Sequence, residues 1–179
     1  MKKPLIIFGA GGLGREIKSM VDALDEWTVT GFCDDNMQTG SIVMNVPVLG
    51  NCAYLQSRNT STYVTVAIGN PQQKAQVVAS LMINRFISFP AIVHPRAILS
   101  DPSSINIGAG TIITAGCILT TAISIGEHVL LNLNTTIGHD SIIQDFTSVM
   151  PGVNIAGSVH IGEGVLIGSG ANIKNRVHI

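Results

Sequence analysis

From Ile107 onward an aliphatic residue recurs at every sixth place: Ile107, Ile113, Leu119, Ile125, Leu131, Ile137, Ile143, Val149, Ile155, Ile161, Ile167, Ile173 and Ile179. Neither the 3.6-residue period of an amphipathic helix nor the two-residue period of a lone strand produces this spacing. A solenoid that turns one corner of a triangular prism every six residues does, with three units to a coil. Four residues after each aliphatic position stands a smaller or β-branched one: Thr111, Cys117, Ile123, Val129, Thr135, Ser141, Thr147, Val153, Val159, Val165, Ala171 and Val177. The two positions together are predicted to line the interior. Gly108, Gly126, Asn132, Gly138, Gly162 and Gly168 directly follow the aliphatic residue, and the pattern assigns them the unusual backbone angles of the corners. Ile107 to Ile179 covers four coils of 18, and the less regular stretch 92–106 supplies one more.

The first ninety residues follow other periods. Leu5 to Phe8 is a continuous apolar run, and Leu13 to Leu24 carries Ile17, Met20, Val21 and Leu24 on one side of a helix. Trp27 to Cys33 alternates as a strand, which completes a βαβ unit. Tyr63 to Ile68 reads as a further strand, Gln72 to Met82 as a helix entered through Pro71, and Arg85 to Phe89 as a last strand. Residues 36–49, with Gly40 and Pro47, read as loop with a weak strand. The fold class is thus α/β and Rossmann-like over 1–90, with a small, mostly parallel sheet, followed by an all-β parallel β-helix over 91–179.

Composition narrows the function. The 179 residues are 46% hydrophobic and 12% charged, with a formal net charge of -1, so no basic excess serves a nucleic acid. Cys33, Cys52 and Cys117 are odd in number and lack metal-ligand spacing, which argues against a disulfide framework and zinc and for a reducing cytoplasm. The apolar run after Lys2-Lys3 is too short for a signal sequence, and no stretch approaches a membrane span.

Two motifs carry chemistry. Gly9-x-Gly11-x-x-Gly14 lies between strand and helix, with Asp34 and Asp35 at the end of the next strand. Glycines let a diphosphate approach the helix N-terminus, and a carboxylate one strand over accepts hydrogen bonds from ribose or base. Ninety residues hold one mononucleotide half rather than two, so a nucleotide or nucleotide-sugar fits better than a nicotinamide cofactor. The second motif is His139 with Asp140 beside it, projecting from a corner, and Asn132 in the preceding unit. A histidine there can take a proton at neutral pH while the carboxylate fixes its tautomer. His160 and His178, one coil apart, are expected to stack on one face, and Cys117 to pack inside.

The stretches Ile7 to Gly12, Phe32 to Asp35, Ile68 to Asn70, His94-Pro95, Leu131-Asn132, Ile137 to Asp140, Pro151-Gly152 and Ala156-Gly157 together resemble the bacterial sugar acetyltransferases of the bacillosamine N-acetyltransferase and sialic acid O-acetyltransferase type. The resemblance covers nearly the whole chain. It implies a left-handed β-helix of hexapeptide repeats, a homotrimer, and acetyl-CoA lying along the helix between subunits, with no metal. It also implies His139 as general base, with Asp140 and Asn132 as its companions. Gly9, Gly11 and Gly12 would contact the diphosphate and Asp34 and Asp35 uracil or ribose, with Gly69 and Asn70 completing a site for a UDP-4-amino sugar. Gly157, Ser148 and Ser169 would fall on the coenzyme side, Gly157 through an oxyanion or pantetheine contact.

Three departures stand out. Leu13 and Ser148 occupy places where family members can carry histidine, and the chain stops at Ile179 at the start of a unit. That end leads to the expectation of a truncated chain with weakened acetyl-CoA binding. Transfer to the amino group of a nucleotide-activated sugar for surface glycan assembly is the leading reading; O-acetylation of sialic acid and a non-catalytic trimeric nucleotide-binding scaffold are the alternatives.

Overall fold

Apolar periodicity sorts the chain into two packed units in the computed structural model, which describes residues 1–179: one holds Met1–Gly69 and Gln73–Pro90, the other Asn70–Gln72 and Ala91–Ile179. In the first, strands β1 (Lys3–Phe8), β2 (Trp27–Cys33), β3 (Ile42–Val43), β4 (Val46–Gly50), β5 (Thr62–Val66) and β6 (Ile87–Ser88) form a sheet of order β3-β4-β2-β1-β5-β6. Only the β3–β4 pair is antiparallel. Helices α1 (Gly12–Asp22), α2 (Cys52–Gln56) and α3 (Pro71–Met82) accompany it. Leu5, Ile7, Phe32, Val64 and, on α1, Ile17 and Val21 are fully buried, as their runs and helical spacing require. The 36–49 region holds more order than its composition suggests. Met44 (φ 48°) and Asn45 (φ 62°) make the tight turn between β3 and β4, and β4 then extends the parallel sheet beside β2.

The second unit is a left-handed parallel β-helix of fourteen short strands, from Ile92–Val93 to Asn172–Ile173, stacked into three parallel sheets of five, five and four. Ile113, Leu119, Ile125, Leu131, Ile137, Ile143, Val149, Ile155 and Ile161 are buried, and so are Thr111, Cys117, Ile123, Val129, Thr135, Ser141, Thr147, Val153 and Val159. Both interior positions therefore behave as expected. The interior hydroxyls are satisfied by neighbouring coils: Thr111 Oγ1 donates to the Gly126 carbonyl at 2.8 Å and Thr147 Oγ1 to that of Gly162 at 2.7 Å. The first coil is longer, because the 3-10 turn Pro102–Ser104 shifts the pairing from 18 residues (Ile123 with Ile105) to 20 (Ile118 with Ile98).

The corners overturn one expectation. The left-handed residue is the third after the aliphatic position, not the first: Gly110, Gly116, Ala122, His128, Asn134, Asp140, Phe146, Gly152, Ser158, Gly164, Gly170 and Arg176 all have φ between 52° and 76°. At Gly108, Gly126 and Gly138, glycine directly after the aliphatic residue answers to crowding instead. A Cβ on Gly138 would stand 2.6 Å from the Gly157 nitrogen and 2.7 Å from the Ala156 carbonyl carbon, one coil on.

Candidate active site

The glycine loop leaves β1 through Gly9, whose φ of 102° turns the chain into α1, and its N–H donates to the Cys33 carbonyl at 2.7 Å. A Cβ on Gly9 would meet the Ala67 carbonyl oxygen at 2.8 Å, and one on Gly14 would fall on the Gly9 carbonyl itself. Gly9 and Gly14 thus serve close packing of strand and helix. Gly11 and Gly12 differ, since nothing within 4 Å would meet a Cβ there. They are exposed at the helix start, where Gly11 caps α1 without a side-chain bond, and they face a cleft of about 450 Å³. Phe8, Gly9, Leu13, Asp34, Asp35, Asn36, Ala67, Ile68, Gln73, Gln76 and Val77 line the rest of it.

The two carboxylates differ in their commitments. Asp34 Oδ2 accepts the Ala10 N–H at 2.9 Å and Oδ1 the Asn36 N–H at 2.8 Å, so it braces the glycine loop across β1 and β2. Asp35 Oδ1 accepts the Cys52 N–H at 2.8 Å and holds the start of α2. Burial, aided by the Asp35 charge, pushes the Cys33 thiol up to about 12, which leaves it protonated and inert. Gly69 and Asn70 do not line the cleft; Ile68 before them does. Gln73 and Gln76 were not foreseen, although their three-residue spacing on α3 puts both amides on one face. Arg15 was also missed: with Gly12, Glu16, Ser19 and Met44 it lines an adjoining hollow of about 400 Å³.

On the β-helix His139 and Asp140 form the expected pair. Asp140 Oδ2 lies 2.7 Å from His139 Nδ1, and both side chains are open to solvent, 62% and 63% exposed. An ionised carboxylate only accepts, so Nδ1 carries the proton and Nε2 keeps its lone pair. The backbone fixes the pair: Asp140 takes the left-handed corner (φ 58°), its N–H donates to the Thr121 carbonyl at 3.2 Å, and the His139 carbonyl accepts the Ser158 N–H at 2.7 Å. Gly157 stands one coil beyond, directly against the His139 ring.

The remaining candidates lie elsewhere in the chain. Asn132 belongs to the preceding corner, is 7% exposed, and its Oδ1 accepts the Leu133 N–H at 2.8 Å. Ser148 is fully buried, and Ser169 is exposed on the corner row of Leu133 and Pro151. His160 and His178 lie on one face as expected, but their rings do not stack: the centroids are 5.4 Å apart and the planes tilted by 37°, and His160 Nε2 lies 3.0 Å from Gln144 Nε2. No three His, Cys, Asp or Glu side chains gather to hold a metal ion, and no helix is long and apolar enough to cross a membrane.

Residues 4–81 match the family described as the PglD N-terminal domain, and residues 140–175 match the bacterial transferase hexapeptide (six repeats). GDP-perosamine N-acetyltransferase from Escherichia coli O157:H7 is 30% identical over 177 residues, 96% of this chain and 78% of that protein. The acetyltransferase domain of PglB from Neisseria gonorrhoeae FA1090, solved in complex with acetyl coenzyme A, is 27% identical and superposes with a TM-score of 0.88 over 99% of this chain and 85% of that one. WeeI from Acinetobacter baumannii AYE is 27% identical, with a TM-score of 0.84 over 95% and 80%. With a glycine-loop α/β unit, a hexapeptide β-helix and this relationship along nearly its whole length, the chain belongs to the hexapeptide-repeat sugar N-acetyltransferases, a family of acyltransferases.

Proposed function

We propose that this protein transfers the acetyl group of acetyl-CoA to the amino group of a nucleotide-diphosphate amino sugar, with His139 as general base. The observation that carries the reading is the 2.7 Å bond from His139 Nδ1 to Asp140 on an open corner, which leaves Nε2 free to take a proton. As the amine attacks the thioester carbonyl, Nε2 accepts the amine proton; collapse of the tetrahedral intermediate breaks the C–S bond, and the imidazolium returns the proton to the departing thiolate. The attack is direct and needs no acyl-enzyme. Asp140 holds the tautomer and faces the positive charge that develops on the ring.

The nucleotide-sugar belongs to the cleft of the α/β unit. Gly11 and Gly12, open at the N-terminus of α1, suit the diphosphate, and the rim guanidinium of Arg15 offsets its charge. Asp34 and Asp35 suit the donors of base or ribose, Asp34 also as the brace of the loop. The paired carboxylates prompt UDP as the nucleotide. GDP is the second reading, favoured by the E. coli relative, whose named substrate is a GDP sugar. The same name supports N- over O-acetylation. Ser148, Ser169, Gly69 and Asn70 enter only through the family resemblance, as do the homotrimer and the role in surface glycan assembly; Asn132 rests also on its place in the preceding unit, and the cytoplasmic setting on the odd cysteine count.

The test is an acetyl-transfer assay with acetyl-CoA and UDP- and GDP-linked 4-amino sugars. Wild-type turnover on one of them, lost by at least about 100-fold in His139→Ala with the fold intact, is the expected result. Absence of wild-type transfer to any nucleotide-amino sugar would sink the proposal in favour of a binding scaffold.

A further inference from the structure

We infer that Gly157 is a positioning residue for the general base: its missing side chain is the seat that holds the His139 ring against Asp140. The inference rests on the reading of His139 given above. In the units from Ile107 to Ile173, the place two residues after the aliphatic one is filled by Ala, Thr, Glu, Leu, His, Asp, Pro, Ser or Asn, and by glycine only at 157. The β-helix itself therefore does not require glycine there.

Nor does the local backbone. Gly157 is absent from the left-handed corner residues, so its dihedral angles suit any L residue. The three atoms nearest to a Cβ on Gly157 are all in the His139 ring: Nε2 at 2.6 Å, Cε1 at 2.7 Å and Cδ2 at 2.9 Å. Gly138 makes the contrast, because its own Cβ would strike the backbone of the next coil at Gly157 and Ala156. Gly138 is a glycine of the fold, whereas Gly157 is a glycine of the site. The ring packs on the bare Cα with its Nε2 edge over Gly157 and its Nδ1 edge on Asp140, and the Ser158 N–H to His139 carbonyl bond at 2.7 Å locks the two coils in that register.

Alanine at 157 keeps the backbone N–H, so any contact made by that amide survives while the seat is filled. The ring must then shift from its seat beside Asp140, and a shift of about 1 Å in a catalytic group can cost on the order of 100-fold. Crystallography and kinetics of Gly157→Ala on the whole chain test this. The expected result is a displaced ring with the Nδ1–Oδ2 bond broken, kcat down about 100-fold and the KM for acetyl-CoA within about twofold of wild type. A ring still bonded to Asp140, or a displaced ring with wild-type kcat, overturns the inference.

A second arm separates packing from positioning. In the His139→Ala background, adding Gly157→Ala is expected to leave the Tm unchanged, because the ring is already gone. A Tm drop there assigns Gly157 to coil packing and overturns the inference. If the wild type acetylates no nucleotide-amino sugar, the function proposed above fails, while the crystal and Tm arms still decide the seat.

Discussion

Asp140 does two things at once, and the two can be separated. Its backbone takes the left-handed corner that every unit of the β-helix needs, and its carboxylate holds His139. Asp140→Gly preserves the corner and removes the carboxylate, so Tm is expected to hold while kcat falls roughly 10- to 100-fold. Asp140→Ala removes the same carboxylate and adds left-handed strain of about 1–2 kcal/mol, so its Tm is expected below that of the glycine variant at equal activity. Equal melting of the two would contradict the corner assignment. The pair was legible in the sequence because histidine next to aspartate breaks an otherwise bland outward pattern. The corner position was not, since Ala122, Phe146 and Arg176 bear no mark of positive φ, while Gly108, Gly126 and Gly138, which invite that reading, are there to let coils touch.

Among the elements, the loop between β1 and α1 separates its glycines by role. Gly14→Ala collides with the Gly9 carbonyl and is expected to destabilise the α/β unit, whereas Gly12→Leu enters open space. The latter should leave the denaturation midpoint nearly unmoved and weaken nucleotide-sugar binding at least about tenfold in calorimetry, since a side chain then fills the phosphate approach. Helix α3 carries a pH signature. Lys74 is 2% exposed, and burial lowers its pKa to about 7. Between that value and the ordinary lysine value the unfolded chain binds more protons than the folded one, so stability rises with pH across the window, by at most about 1.4 kcal/mol per unit. Denaturation of the wild type at pH 7 and 9 is expected to show this rise, and Lys74→Met to flatten it; parallel slopes would refute it. The strands and helices of the βαβ unit were readable from apolar runs and glycine spacing. Helix α2 was not, because five residues hold too little periodicity, and β4 was readable only as a weak strand, because its place in the parallel sheet comes from pairing with β2.

On the scale of the whole molecule, the six-residue run predicts both interior positions of the β-helix, yet not the 20-residue first coil, because the extra turn at Pro102–Ser104 leaves the aliphatic spacing of later units untouched. On the proposed function, chemistry and recognition belong to different units: the His139–Asp140 pair to the β-helix, and the glycine-loop cleft to the α/β unit. Each is assembled from side chains of its own unit, so perturbations should separate in the kinetics. Asp34→Ala frees the exposed Asn36 N–H to water, leaves the N–H of buried Ala10 without its acceptor and slackens the loop, at a cost of about 1–3 kcal/mol of stability. It is expected to raise the KM for the nucleotide-sugar while the KM for acetyl-CoA and the rate at saturation stay near wild type. His139→Ala is expected to do the reverse, lowering kcat at least about 100-fold to a measurable residual rate while calorimetric binding of the nucleotide-sugar persists. A cycle of the two changes then tests the division itself, because independent units require the two effects on kcat/KM to multiply. A double variant whose loss departs from that product by more than about threefold would show that the cleft and the base act as one site, and that the separation into recognition and chemistry is wrong.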